Sequence, residues 1–241
     1  MKRFIFCALA AECLARAQDP TVITIEYDNY EGFGMAPLYA IAYLWPECTI
    51  ESFDGNPTAW ADAVDSETSI AIGDMHRYAL QYDGAFSHLT DWYNDPALGP
   101  MFYASWQMYA SPDDILMQAM GITDASWINM PPIEHYLWQV FSPISVGITD
   151  WSYVNPGSYG IGGSRLTAGT AIPVTGWTST PMPGQAALCI ANDGRSIVSG
   201  YFPSLNPTQA NLLWRNVLSY MWGSSGPGLT PMTWGSIKTL F

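Results

Sequence analysis

The chain has 241 residues, of which 49% are apolar and 14% aromatic, and it carries a net charge of −13. That length and apolar content suit one domain with a full hydrophobic core. The negative charge repels phosphate backbones and excludes nucleic acid as a partner.

The first residues are unlike the rest. Lys2 and Arg3 precede an apolar run, Phe4 to Ala15, that is too short to span a bilayer, and Ala15-Arg16-Ala17 is a small-x-small cleavage pattern. This predicts a signal peptide over 1–17, a mature start at Gln18, and a secreted or cell-envelope protein; a short buried helix is the competing reading. Glu12 interrupts the run. Cleavage would remove Lys2, Arg3, Arg16 and Glu12, leaving 5 basic and 20 acidic residues and a net charge of −15. It would also remove Cys7 and Cys13. Cys48 and Cys189 would remain in an oxidising compartment, either bridged or, the preferred reading, as two separate buried thiols.

Thr21 to Tyr27 is β-branched and reads as the first strand. Met35 to Trp45 reads as a short helix between Pro37 and Pro46, and Cys48 to Phe53 as a second strand. Asn56-Pro57-Thr58 opens a helix to about Val64, and Glu67 to Gly73 is a third strand ending at Asp74. Phe86 to Asn94 is predicted helical, Met101 to Ser105 a strand, and Ser111 to Gly121 a capped helix. Trp127 to Thr149 is ambiguous, Tyr153 to Ser164 reads as loop, and Arg165 to Ala171 as strand. Two apolar strands then flank Asn192-Asp193-Gly194, a hairpin signal because these residues tolerate positive φ. In the closing helix Asn206 is the expected cap, Pro207 the first helical residue, Gln209 the partner of a capping box, and Gly223 the stop. Residues 223–231 read as a linker and 232–241 as a short tail with an attachment or sorting role. No second apolar run qualifies, so the processed protein is expected not to be transmembrane. Strands alternating with helices predict a three-layer α/β domain over 18–222, with a mostly parallel sheet, helices on both faces and an antiparallel closing hairpin.

This order of elements resembles the class I glutamine-amidotransferase-like, or flavodoxin-like, superfamily. The stretches that carry the likeness are Val-Ile-Thr-Ile-Glu-Tyr-Asp28, the segment from Asp114 to Ile122, and the ending from Ala187 to Tyr201, which is similar to that of divergent secreted members. The resemblance implies a fold rather than a reaction. Catalytic members place a Cys on a sharp turn after the fourth strand and a His-x-Glu pair after the last. Here those places read Phe102-Tyr-Ala-Ser-Trp-Gln107 and Tyr201-Phe-Pro-Ser-Leu-Asn206, without thiol or base.

Ser105 is the best candidate nucleophile, with His76 or His135 as base and Asp74 or Glu134 to orient it. Tyr103 and Gln107 stand where a tight nucleophile turn wants small residues, and the competing reading is a packed polar residue at a strand end. Asp28, Asp74 and His76 could gather at the strand carboxyl ends and hold a cation, although helix-capping carboxylates explain them as well, so neither metal nor cofactor is expected. Gly157 to Gly163 lacks the lysine and following helix of a phosphate loop. The expected ligand edge gathers Asp28, Asn29, Asp74, His76, Ser105, Trp106 and Tyr201. With Arg77 the only fixed positive charge nearby, it suits a neutral carbohydrate or a peptide. Trp92, Trp106, Trp127, Trp138, Trp151 and Trp177 serve either such a face, an interface with another surface protein, or the core. The expected function is a non-catalytic binding or structural domain; a serine-dependent hydrolase using Ser105 is the alternative.

Overall fold

The computed structural model describes residues 19–27, 35–75, 87–95, 97–105, 108–110, 115–128, 133–153, 163–201, 203–206 and 208–225. The expected signal peptide, Asp28, Asn29, His76, Arg77, Trp106, Pro207 and the expected tail lie outside the described residues.

Five strands make the parallel part of one mixed sheet: β1 (Val22–Tyr27), β2 (Thr49–Asp54), β3 (Ile70–Met75), β4 (Met101–Ser105) and β11 (Ser196–Ser199). Their spatial order is β2-β1-β3-β4-β11. The sheet continues antiparallel through β10 (Ala186–Ala191), β9 (Ile172–Gly176), β6 (Ile133–Leu137) and β7 (Trp151–Tyr153). A branch pairs β8 (Gly163–Ala168) with β10 and with β5 (Ile122–Ile128). The sheet is therefore parallel in its core, and its antiparallel part reaches well beyond the closing hairpin. The stretch from Trp127 to Thr149 resolves into the end of β5, β6, and a 3-10 turn at Pro143–Ser145.

Helices cover both faces. α1 (Ala36–Leu44) and α5 (Ala210–Ser225) pack on one, where Ile41, Trp214 and Val217 meet Ile25, Ile72, Phe102 and Ile197. The rings of Phe102 and Trp214 are 4.6 Å apart. α2 (Pro57–Ala63), α3 (Ser87–Asn94) and α4 (Ile115–Ala119) pack on the other, where Trp60, Leu89 and Met117 meet Ala71, Tyr103 and Val198. Every residue of β4, β10 and β11 is buried, as strands covered on both faces require. The edge strand β2 is largely exposed.

Local chemistry explains most boundaries. Asn56 caps α2 by accepting from Ala59 N. Asn192 and Asp193 take φ of 49° and 52° in the hairpin turn. Asn206 caps the closing helix by accepting from Thr208 N and Gln209 N. Gln209 does not complete a capping box. Its side chain reaches the loop beneath instead, donating to Gly147 O and accepting from Thr149 N. Gly223 does not stop α5, which runs to Ser225, so the start of the expected linker is helical. The buried Met221 and half-buried Trp222 give that last turn a tertiary anchor. Among the described residues, no helix is long and apolar enough to cross a membrane.

Cys48 and Cys189 are both free. Cys48 precedes β2, and five strand spacings of about 4.8 Å separate β2 from β10, far beyond the roughly 7 Å that a disulfide tolerates between Cα atoms.

β8 begins where β11 ends. Ser164 N donates to Gly200 O at 2.7 Å, and Gly200 N donates to Ala187 O at 2.8 Å. A Cβ on Gly200 would lie 2.1 Å from Ser164 O. Gly200→Ala is expected to cost about 2 kcal/mol or more, because backbone rather than a flexible side chain would have to move. Chemical denaturation of the variant beside wild type measures it.

Candidate functional site at the strand carboxyl edge

The parallel registers align Asp54, Tyr27, Asp74, Ala104 and Ser199 in one row across the carboxyl edge. Met75 and Ser105 stand one step beyond. This brings together two of the expected site residues, Asp74 and Ser105, both buried. Strand alternation places Asp74 on the face of Ile70 and Ile72, beneath α1 and α5. It places Ser105 on the opposite face, that of Met101 and Tyr103. Asp74 and Ser105 thus neighbour each other along the edge but belong to different layers.

Glu26 is a carboxylate that the sequence reading missed. It is buried one residue before the end of β1 and accepts a hydrogen bond from Asn56 N, at the start of α2. Its only sequence signal was an acidic residue inside a β-branched strand. Burial raises the Tyr27 phenol above its ordinary value, and the charges of Asp54 and Glu26 push in the same direction. The edge is therefore acidic and holds Tyr27 protonated. Among the described residues, no three His, Cys, Asp or Glu side chains are placed to share a cation.

His135 and Tyr201 meet each other in the core. His135 stacks on Trp151 with centroids 4.7 Å apart and an interplanar angle of 7°. It also meets Trp177 at 4.2 Å and Tyr201 at 4.1 Å. The Trp177 indole donates to Ser164 O and Ala186 O, which holds the group to the starts of β8 and β10. This aromatic group lies on the α1/α5 face with Ile133 and Val174. Tyr201, expected as an open wall of the ligand edge, is instead fully buried. Burial also raises its phenol far above the usual range, a shift that the neighbouring Thr175 hydroxyl partly offsets. The imidazole of His135 is pushed down to about 3 by burial. Glu134, the other candidate on that strand, is exposed and accepts a hydrogen bond from Tyr136 OH. His88 holds α3 to α2 through Ala61 O.

Neither described cysteine is an activated thiolate. Burial raises the Cys189 thiol strongly, and burial and Asp19 together raise Cys48 against the opposing backbone contact at Ile23. Trp92, Trp151 and Trp177 are core residues. Trp127 is 45% exposed and stacks on Tyr109, with ring centroids 5.7 Å apart. The Tyr109 backbone is tied to Ser164 Oγ, which sets this pair beside the turn after β4.

This mixed sheet with two helical layers is a glutamine-amidotransferase-like α/β fold. A glutamine amidotransferase from Thermotoga maritima superimposes with a TM-score of 0.54 at 9% identity, over 85% of this chain and 99% of the other. A ThuA-like protein from Bacteroides uniformis ATCC 8492 superimposes with a TM-score of 0.53 at 10% identity, over 84% and 91% of the two chains. At such identities the likeness is one of fold. No protein-family model and no curated protein sequence matches the chain.

The enclosed His135 makes stability depend on acidity. In the unfolded chain the imidazole titrates at its ordinary 6.5, but in the fold only at about 3. The unfolded chain therefore takes up the proton first. Stability is full above about pH 6.5 and falls as the pH drops toward 3, by at most about 1.4 kcal/mol per pH unit. Denaturant titrations between about pH 7.5 and about pH 4 should show this slope, and His135→Phe should flatten it.

Proposed function

We propose that this protein is an exported, non-catalytic α/β domain that binds a ligand or a surface partner through the carboxyl edge of its sheet. The observation that supports this reading most lies just after the last strand. Where the catalytic proteins of this fold carry a base, this chain packs Tyr201 against His135, Trp151 and Trp177. A buried, neutral imidazole in the α1/α5 layer is poorly disposed to activate Ser105, whose strand position faces the other layer. The place of the catalytic thiol is held by Ser105 and its neighbours, and the two described cysteines lie in other strands or loops. The exposed Trp127 stacked on Tyr109 suits a neutral carbohydrate or a peptide.

One feature favours a second reading, a serine-dependent hydrolase. Ser105 stands at the carboxyl end of β4, where this fold places its nucleophile. Wild type and Ser105→Ala compared on esters, amides and glycosides separate the two. Equal background rates are expected; turnover by wild type that Ser105→Ala abolishes would establish the hydrolase instead.

Export rests on Lys2, Arg3, the apolar run and Ala15-Arg16-Ala17. Amino-terminal sequencing of protein from its native source should begin at Gln18. A cytoplasmic chain that retains Met1 would reverse this part of the reading.

A further inference from the structure

Beyond β11, the last strand of that edge, a cavity of about 390 Å³ opens beside β8 and β10. Its walls are the Trp138 indole, Leu166, Pro173 and the loop segment Pro181-Met182-Pro183. Among the described residues, no charged side chain lines it, in a chain with 21 acidic residues, so its neutrality sets it apart from the acidic surface.

The cavity wall is rigid. Trp138 Nε1 donates to Thr178 O at 2.7 Å, which fixes the indole edge to the start of the overlying loop. The indole lies against Gly176, where an added Cβ would be 1.9 Å from the ring. Pro173, Pro181 and Pro183 restrict the backbone around it. Gln139 Nε2 donates to Pro173 O, which orients the amide. Its Oε1 makes no hydrogen bond among the described residues and remains an acceptor beside the indole. A preformed, mainly apolar cavity of this size, with Gln139 and Thr167 as its polar side chains, has the anatomy of a small-molecule site, and a wall already held in place loses little freedom on binding.

We infer that this cavity binds an uncharged small molecule with an apolar ring, stacked on Trp138 and donating one hydrogen bond to Gln139. A charged ligand would lose its hydration without gaining a counter-charge from these walls. Met182, a residue 52% exposed, lines the cavity and offers its thioether to the ring. This site is separate from the carboxyl-edge reading, and either can fail without the other.

The test is a titration of the full chain with N-phenyl-1-naphthylamine, a neutral fluorescent amine with two ring systems and one N–H donor. Saturable binding is expected, and Trp138→Ala should weaken it by about tenfold or more. Because Trp138→Ala also removes packing from Gly176, Met182→Glu is the decisive variant. It places a charge at a half-exposed position and should weaken binding by about tenfold or more at an unchanged unfolding midpoint. Phe141→Ser alters a side chain that is 87% exposed and outside the cavity, and it should leave binding intact. Absence of saturable binding overturns the inference, as does binding that Met182→Glu leaves unchanged or that only Phe141→Ser removes.

Discussion

The close crossing of Ser164 over Gly200 is the constraint on which the rest of this structure depends. Two backbones approach so nearly that Gly200 has no room for a Cβ, and Gly163 takes a φ of 138° beside it. Each polar group of Ser164 is used. Its N–H donates to Gly200, its hydroxyl accepts from Tyr109 N, and its carbonyl accepts from Trp177 Nε1. One residue therefore ties the antiparallel branch to the last parallel strand, to the turn after β4, and to the aromatic group around His135. The bond from Trp177 is buried, and losing it would leave a polar group without compensation in the core.

That crossing also shapes the carboxyl edge. In open α/β sheets the ligand crevice forms where strands end and connections leave in different directions. Here the end of β11 is followed at once by Gly200 and the enclosed Tyr201, and β8 starts over it. The space just after β11 is filled by the rings of Tyr201, His135, Trp151 and Trp177. What remains of the edge is its β2-β1-β3-β4 part, with Glu26, Asp54, Asp74 and Tyr27. The fold is shared with a glutamine amidotransferase, yet a fold supplies positions and not side chains. The side chains here are acidic on one side and aromatic on the other.

His135 illustrates how far burial changes a residue's meaning. By type it is the obvious base in a chain with 3 histidines. Packed against Trp151, Trp177 and Tyr201, it behaves as a flat aromatic filler, and the same burial that makes it a good neighbour keeps it uncharged. Cys189 follows the same logic as a small apolar residue within β10.

Much of the fold was legible in the sequence, because its signals are local. The β-branched run of β1, the Asn56 and Asn206 caps and the Asn-Asp-Gly turn each act within a few residues, and each is seen in the structure. The three-layer order followed from alternating strands and helices. Less legible was everything set by partners distant in sequence. Gln209 had the spacing of a capping box but found the 147–149 loop, and Gly223 had the composition of a stop but lies within an anchored helix. At the candidate site, Asp74 and Ser105 could be placed at strand ends, because strand ends are local; the opposite faces they occupy depend on register and alternation across the sheet. The enclosure of Tyr201 by His135, Trp151 and Trp177 joins segments that are 24 to 66 residues apart along the chain. No local propensity encodes such a meeting; only the packed tertiary structure, which brings these rings out of water together, decides it.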